Sequence, residues 1–148
     1  MSELRIRRAR IEEIRPLAEE YDREASAASE TGKPWDAPLP QGGIFWIAED
    51  AETGDALGYA AGTLRQTGCT VGPVFARKQA RRSGVGRALI GAIQDWADDT
   101  RVPVVEISVA ADNEEGRTFL QALGYVPRRI MMSLRPAVRG VEDDDGEK

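Results

Sequence analysis

The densest chemical signal in the chain is the run Arg81-Arg82-Ser83-Gly84-Val85-Gly86-Arg87-Ala88-Leu89-Ile90. A basic, glycine-bearing turn leads straight into apolar residues at helical spacing. A helix start leaves backbone N–H groups without partners, and the helix dipole favours an anion there. Glycines at the turn let a ligand approach the backbone closely. The expected occupant is a pyrophosphate. A solvated basic helix start is the plainer reading, but cations at a helix N-terminus oppose its dipole. Three arginines in that place therefore call for an anion. A dinucleotide fingerprint would need Gly-x-Gly-x-x-Gly after a first strand, and here Gly84 and Gly86 are followed by Leu89. A P-loop would need Gly-Lys-Ser/Thr, which is missing.

Other groups able to do chemistry are sparse. There is no histidine and one cysteine, Cys69. This excludes histidine triads, histidine-based zinc sites and an intramolecular disulfide. Cys69 reads as a small buried residue, because no histidine activates it. Glu106, Glu49 and Asp36 are the candidate general bases, each also readable as a solvated carboxylate. Trp35-Asp36 lies in a long Ser-, Ala-, Gly- and Pro-rich stretch from Ser26 to Gly43. An aromatic ring beside a carboxylate suits a cationic amine, and loop packing explains it equally well.

The elements that must position these residues follow from periodicity. Leu4 and Ile6 alternate with arginines, predicting a short strand, and Ile11 to Ala25 carries helical spacing around Pro16. Ile44–Ala48, Leu57–Leu64 and Cys69–Ala76 predict an antiparallel meander. Gly72-Pro73 inside its third strand predicts a bulge or a splayed edge. The glycine turn then opens a helix whose stripe is Val85, Leu89, Ala92, Ile93, Trp96 and Ala97. A strand over Val104–Val109 follows, so the passage from Val74 to Val109 predicts a parallel crossover. Asn113–Leu123 predicts a second helix ending at Gly124, and Tyr125–Leu134 one or two final strands. Trp96 is expected in the core. Trp46 alternates with Phe45 and Ile47, so one face of its strand is expected in the core and the other to line a ligand cleft.

Arg81-x-x-Gly84-x-Gly86 resembles the acyl-CoA motif of the GNAT acetyltransferase superfamily. Ile107-Ser108-Val109 followed by Asn113, and then Leu123-Gly124-Tyr125, are similar to that family's later signatures in the same order. The likeness covers roughly residues 3–135. It implies an α/β (α+β) GNAT fold with a mixed six- to seven-stranded sheet. An antiparallel N-terminal meander and a splayed parallel strand pair would be flanked by about four helices.

The resemblance also implies acetyl-CoA as co-substrate and direct transfer to an amine. Pantetheine would pair with Val74, Phe75 and Ala76, and the pyrophosphate with the turn Arg82, Ser83, Gly84, Val85, Gly86 and Arg87. Arg81, Arg82 and Arg87 would reach phosphates, and Asn113 would contact the cofactor. The family usually has glycine where Arg82 stands. Its acid is often a tyrosine seven residues after the Asn, a position held here by Leu120. Glu106 is the candidate base, with a water relay as an equal alternative, and Trp35 and Asp36 the candidate acceptor contacts. Tyr125, the nearest tyrosine, is expected in the core.

At 148 residues with 41% apolar and 30% charged content, the chain reads as one soluble domain over 1–136. Residues 137–148 form an acidic tail expected to be disordered. No apolar run suits a membrane span or signal peptide, so a cytoplasmic location is expected. The net charge of −5 argues against nucleic acid and for a cationic small substrate, and the resemblance implies a small-molecule or peptide amine as acceptor. A homodimer is compatible with the family. Two alternative functions stay open: an acyl-CoA-binding regulatory module without turnover, and a GNAT enzyme using another acyl group.

Overall fold

A computed structural model of the chain describes residues 3–28, 39–132 and 134. Strand β1 (Leu4–Ala9) is followed by helix α1 (Ile11–Ala28). Strands β2 (Ile44–Asp50), β3 (Ala56–Arg65) and β4 (Gly68–Ala76) form the meander. A short 3-10 turn (Lys78–Ala80) leads into α2 (Val85–Thr100), then β5 (Val105–Ile107) and α3 (Glu114–Ala122). The sheet order is β1-β2-β3-β4-β5, antiparallel except for the parallel β4–β5 pair. The crossover expected between Val74 and Val109 is thus present.

Helix α1 starts where the Glu13 side chain accepts the Arg10 backbone N–H at 2.8 Å, half of a capping box. It lays Ile14 and Leu17 on a cluster of Phe45, Ile47, Tyr59, Ala61 and Phe75. Helix α2 lays Val85, Leu89 and Ile93 on the other face, against Trp46, Ala48, Leu57, Ala60 and Val71. Both faces of β2 and β3 are therefore covered, which is why their sequences run apolar without alternation. Trp46 is 2% exposed and meets Trp96 edge to face, centroids 5.4 Å apart. It belongs to the core and lines no acceptor cleft.

The α/β class is as expected, and four details of it are corrected. Among the described residues the sheet has five strands rather than six or seven, and three α-helices flank it rather than about four. Strand β5 is three residues long, shorter than Val104–Val109. The described residues of Tyr125–Leu134 form no strand. Pro127 has no N–H to give a ladder. Val126, Ile130, Met131 and Met132 are 72–87% exposed, so alternation there has no buried face to serve. A period-2 pattern predicts a strand only where one of its faces finds a core.

Candidate active site

The parallel pair holds only over Cys69–Val71 and Val105–Ile107. Its last bond runs from the Ser108 N–H to the Val71 carbonyl, 3.0 Å. Beyond it β4 is bulged. Gly62 pairs with Val71 but Ala60 pairs with Val74, so Gly72 and Pro73 share one place opposite Ala61. The Gly72–Pro73 peptide bond is cis. The bulge expected at these two residues is where the two strands part.

Which backbone groups face the gap follows from the ladder. The Arg77 N–H donates to the Leu57 carbonyl at 2.8 Å. In an antiparallel pair alternate residues point at the partner strand. Phe75 therefore points its N–H and carbonyl at β3, and Val74 and Ala76 point theirs away. The outward series on β4 is Cys69, Val71, Val74, Ala76. Strand β5 closes the first two, as when Cys69 N–H donates to Val104 O at 2.8 Å. The last two face an opening. The Ala76 carbonyl accepts from Arg81 Nε at 3.0 Å, leaving the Val74 N–H and carbonyl and the Ala76 N–H turned to the gap.

The gap ends on the glycine turn. Arg82 sits at φ 65° and Gly84 at φ 87°, both left-handed. Left-handed backbone costs a non-glycine residue about 1–2 kcal/mol, so the position where the family prefers glycine is held here by a strained arginine. Gly84 is the N-cap of α2 and supplies no side-chain cap, and the first turn has no acid. The first helical bond is from Ala88 N–H to Gly84 O, 2.9 Å. The N–H groups of Val85, Gly86 and Arg87 thus lie at the uncapped end. Arg87 lies over the Phe119 ring at 5.8 Å. The Ser83 hydroxyl is spent on the Ala80 carbonyl.

Arg81 points elsewhere. Its guanidinium pairs with Glu24 and lies 5.8 Å over the Phe75 ring. Arg77 pairs with Glu20 at 3.1 Å. Two acids one helical turn apart on α1 thus grip two arginines four apart on the β4–α2 connection. Sequence reasoning missed Glu20 and Glu24 as residues that position the turn; their matched spacing was the available signal.

The remaining candidates scatter. Asn113 caps α3, its Oδ1 accepting the Gly116 N–H at 2.9 Å, which leaves its Nδ2 for a ligand. Leu120 is buried at 9% exposure and brings no acidic proton. Tyr125 is half-buried rather than core. Its hydroxyl accepts from Gln94 Nε2 at 3.0 Å, beside a cavity of about 280 Å³ against α2. Glu49 is gripped by Arg7 (2.9 Å) and Arg5 (3.0 Å) at the far side of the sheet. The Arg7 hydrogen bond, helped by Arg5, holds its carboxyl below the usual range, against the burial that would raise it. Glu49 lies on β2, two strands away from the β4–β5 gap. Burial pushes the Cys69 thiol up, consistent with an inert residue. Glu106 pairs with Arg128 and Arg129. Trp35, Asp36 and the acidic tail lie outside the described residues. Among the described residues no group of His, Cys, Asp and Glu could hold a metal ion.

Residues 8–125 match the family model of the Acetyltransferase (GNAT) family. The chain belongs to that family. Solved structures agree on the fold. A GNAT-like fold is shared with a Pyrococcus furiosus protein assigned as an acetyl transferase (22% identity, TM-score 0.68, 89% of this chain and 99% of that one). AAC(6')-Iy, solved with the bisubstrate analogue CoA-S-monomethyl-acetylneamine, is 18% identical (TM-score 0.62, 90% and 98% covered). The Escherichia coli ribosomal-protein-S18-alanine N-acetyltransferase is 16% identical (TM-score 0.65, 82% and 77% covered). No curated protein matches the chain by sequence.

Proposed function

We propose that this GNAT protein is an acetyl-CoA-dependent N-acetyltransferase that moves acetyl directly to a primary amine of a small molecule or peptide. The observation that carries this is the outward series on β4, closed by β5 up to Val71, open at Val74 and Ala76, and ending on an uncapped helix start.

In this reading the Val74 and Ala76 backbone groups pair with pantetheine as an added strand would. The N–H groups from Arg82 to Arg87 take the pyrophosphate, and Arg82 and Arg87 add charge. Arg81 acts one step back, holding the turn through Glu24 and the Ala76 carbonyl. The Asn113 Nδ2 donates to the cofactor. Pro73 has no N–H, so the Val74 N–H is the first outward donor past the vertex. It is placed to stabilise the oxyanion of the tetrahedral intermediate.

The amine must arrive neutral. Val105 and Ile107 pack towards α2, so Glu106 between them faces the other side, next to Thr70. There it attracts the substrate ammonium, and its proton passes to Glu106 or to water. With Leu120 at the usual acid position, CoA departs as the thiolate, a tolerable leaving group since thiols ionise near pH 8.5. Trp35 and Asp36 would complete the amine's site, and cytoplasmic residence is part of the same reading. No helix among the described residues is long and apolar enough to cross a membrane.

A second reading, an acyl-CoA-binding regulatory module, is favoured by one observation, the buried apolar Leu120. Measuring acetyl-CoA binding by calorimetry alongside free CoA release over an amine panel separates the two. Binding with amine-dependent release supports the transferase. Tight binding with no release from any amine supports the module, and no binding sinks both.

A further inference from the structure

A second cavity, of about 190 Å³, opens where β4 and β5 begin. Its charged lining is Arg65, Arg128, Arg129 and Glu106, with Thr70 between them. Three guanidiniums face one carboxylate, in a chain whose net charge is −5. Arg128 and Arg129 are shared with Glu106. Arg65 is exposed and forms no ion pair among the described residues. A local excess of cations in an acidic protein is an electrostatic trap for an anion.

The position of the cavity gives the anion a role. Thr70 and Glu106 are register partners, one pair before the last, Val71 and Ile107. The cavity mouth is therefore only one or two residues, about 3–7 Å of strand, from the vertex where acetyl would be presented. It lies on the sheet face that α2 does not cover. An anion bound there would sit beside the transferring carbon on the side opposite the pantetheine gap.

We propose that this cavity is an acceptor subsite for the carboxylate of an amino-acid-type amine, with Arg65 as its main donor. The inference rests on the acetyl-transfer reading for the identity of the amine, and on the cavity alone for the anion. Arg65 offers a planar fork matched to one carboxylate. The Thr70 hydroxyl supplies a further donor, and Glu106, held by its two arginines, remains to meet the ammonium. Amine and carboxylate a few atoms apart then span from the vertex to the cavity. An amine without a carboxylate would leave the Arg65 charge unanswered, so the site discriminates by charge as well as by shape.

The test uses products, which bind whether or not the protein turns over. Binding of N-acetyl-L-alanine and of N-acetyl-L-alaninamide is measured by NMR titration on the full chain saturated with CoA. The acid is expected to bind about tenfold tighter than the amide. Arg65→Ala should erase that preference and Arg65→Lys restore part of it, with acetyl-CoA affinity unchanged in both. Equal binding of acid and amide, no binding of either, or a preference that survives Arg65→Ala overturns the subsite. CoA release with alanine and alaninamide, run in parallel, reports on transfer separately. A chain that prefers the acid but releases no CoA keeps the subsite and loses the enzyme. A chain that acetylates both amines equally keeps the enzyme and loses the subsite.

Discussion

At its C-terminal end β4 is backed by both helices and runs into a turn that α1 grips through Glu20 and Glu24. At its N-terminal end it leans on a three-residue edge strand and a segment whose apolar side chains face solvent. In the proposed reading the first end presents the groups that meet the acetyl donor, and the second is the side from which an acceptor would come. Binding one cofactor rewards preorganisation, because a rigid cradle has little ordering cost left when the ligand arrives. The acceptor side is the part expected to differ between members of one fold, since function lives in sites grafted on it. Here the two requirements meet on a single strand, divided at Gly72-Pro73.

Four substitutions probe this contrast. Leu89→Ala opens a cavity in the α2 layer that backs the donor end, and should cost roughly 2–5 kcal/mol in urea unfolding. A cost below about 1 kcal/mol would mean that this end is not rigid. Gly86→Glu places a carboxylate among the free N–H groups while its own Cβ meets only Phe119, at 3.8 Å. Calorimetry should show acetyl-CoA affinity falling by about a hundredfold, roughly 2.7 kcal/mol. Unchanged affinity would move the cradle elsewhere. Arg82→Gly relieves the left-handed strain and should stabilise the fold by about 1 kcal/mol, while weakening acetyl-CoA binding through the lost charge. If it stabilised the protein and bound acetyl-CoA as before, Arg82 would have no phosphate to meet. Met132→Ser lies at the open end and should change stability by less than about 0.5 kcal/mol. A larger loss on thermal unfolding would show that the C-terminal segment packs after all.

Much of the donor half was legible because local rules write it. The meander boundaries fall within a residue or two of the apolar runs, the bulge sits at Gly72-Pro73, and α2 begins just after Gly84. Each depends on backbone chemistry a few residues long: proline lacks a donor, glycine accepts positive φ, and apolar spacing reports which face is covered. The acceptor half was less legible, because its groups meet across long stretches of chain. Tyr125 was expected in the core and instead bonds Gln94. Glu49 looked like a base and proved to be locked between two β1 arginines. The alternation in Tyr125–Leu134 carried no information about whether a buried face awaited it.

By itself the sequence determined the order of elements as far as α3, the family, and a glycine turn opening a helix with its N–H groups uncapped, since these rest on nearest-neighbour sterics and hydrogen-bonding capacity. Only the tertiary structure decided which of the arginines remain available. It spent Arg77 and Arg81 on α1, set Arg128 and Arg129 on Glu106, and left Arg65 at the cavity mouth. A charge's role depends on what stands within a few ångströms of it, and those neighbours lie tens of residues away along the chain.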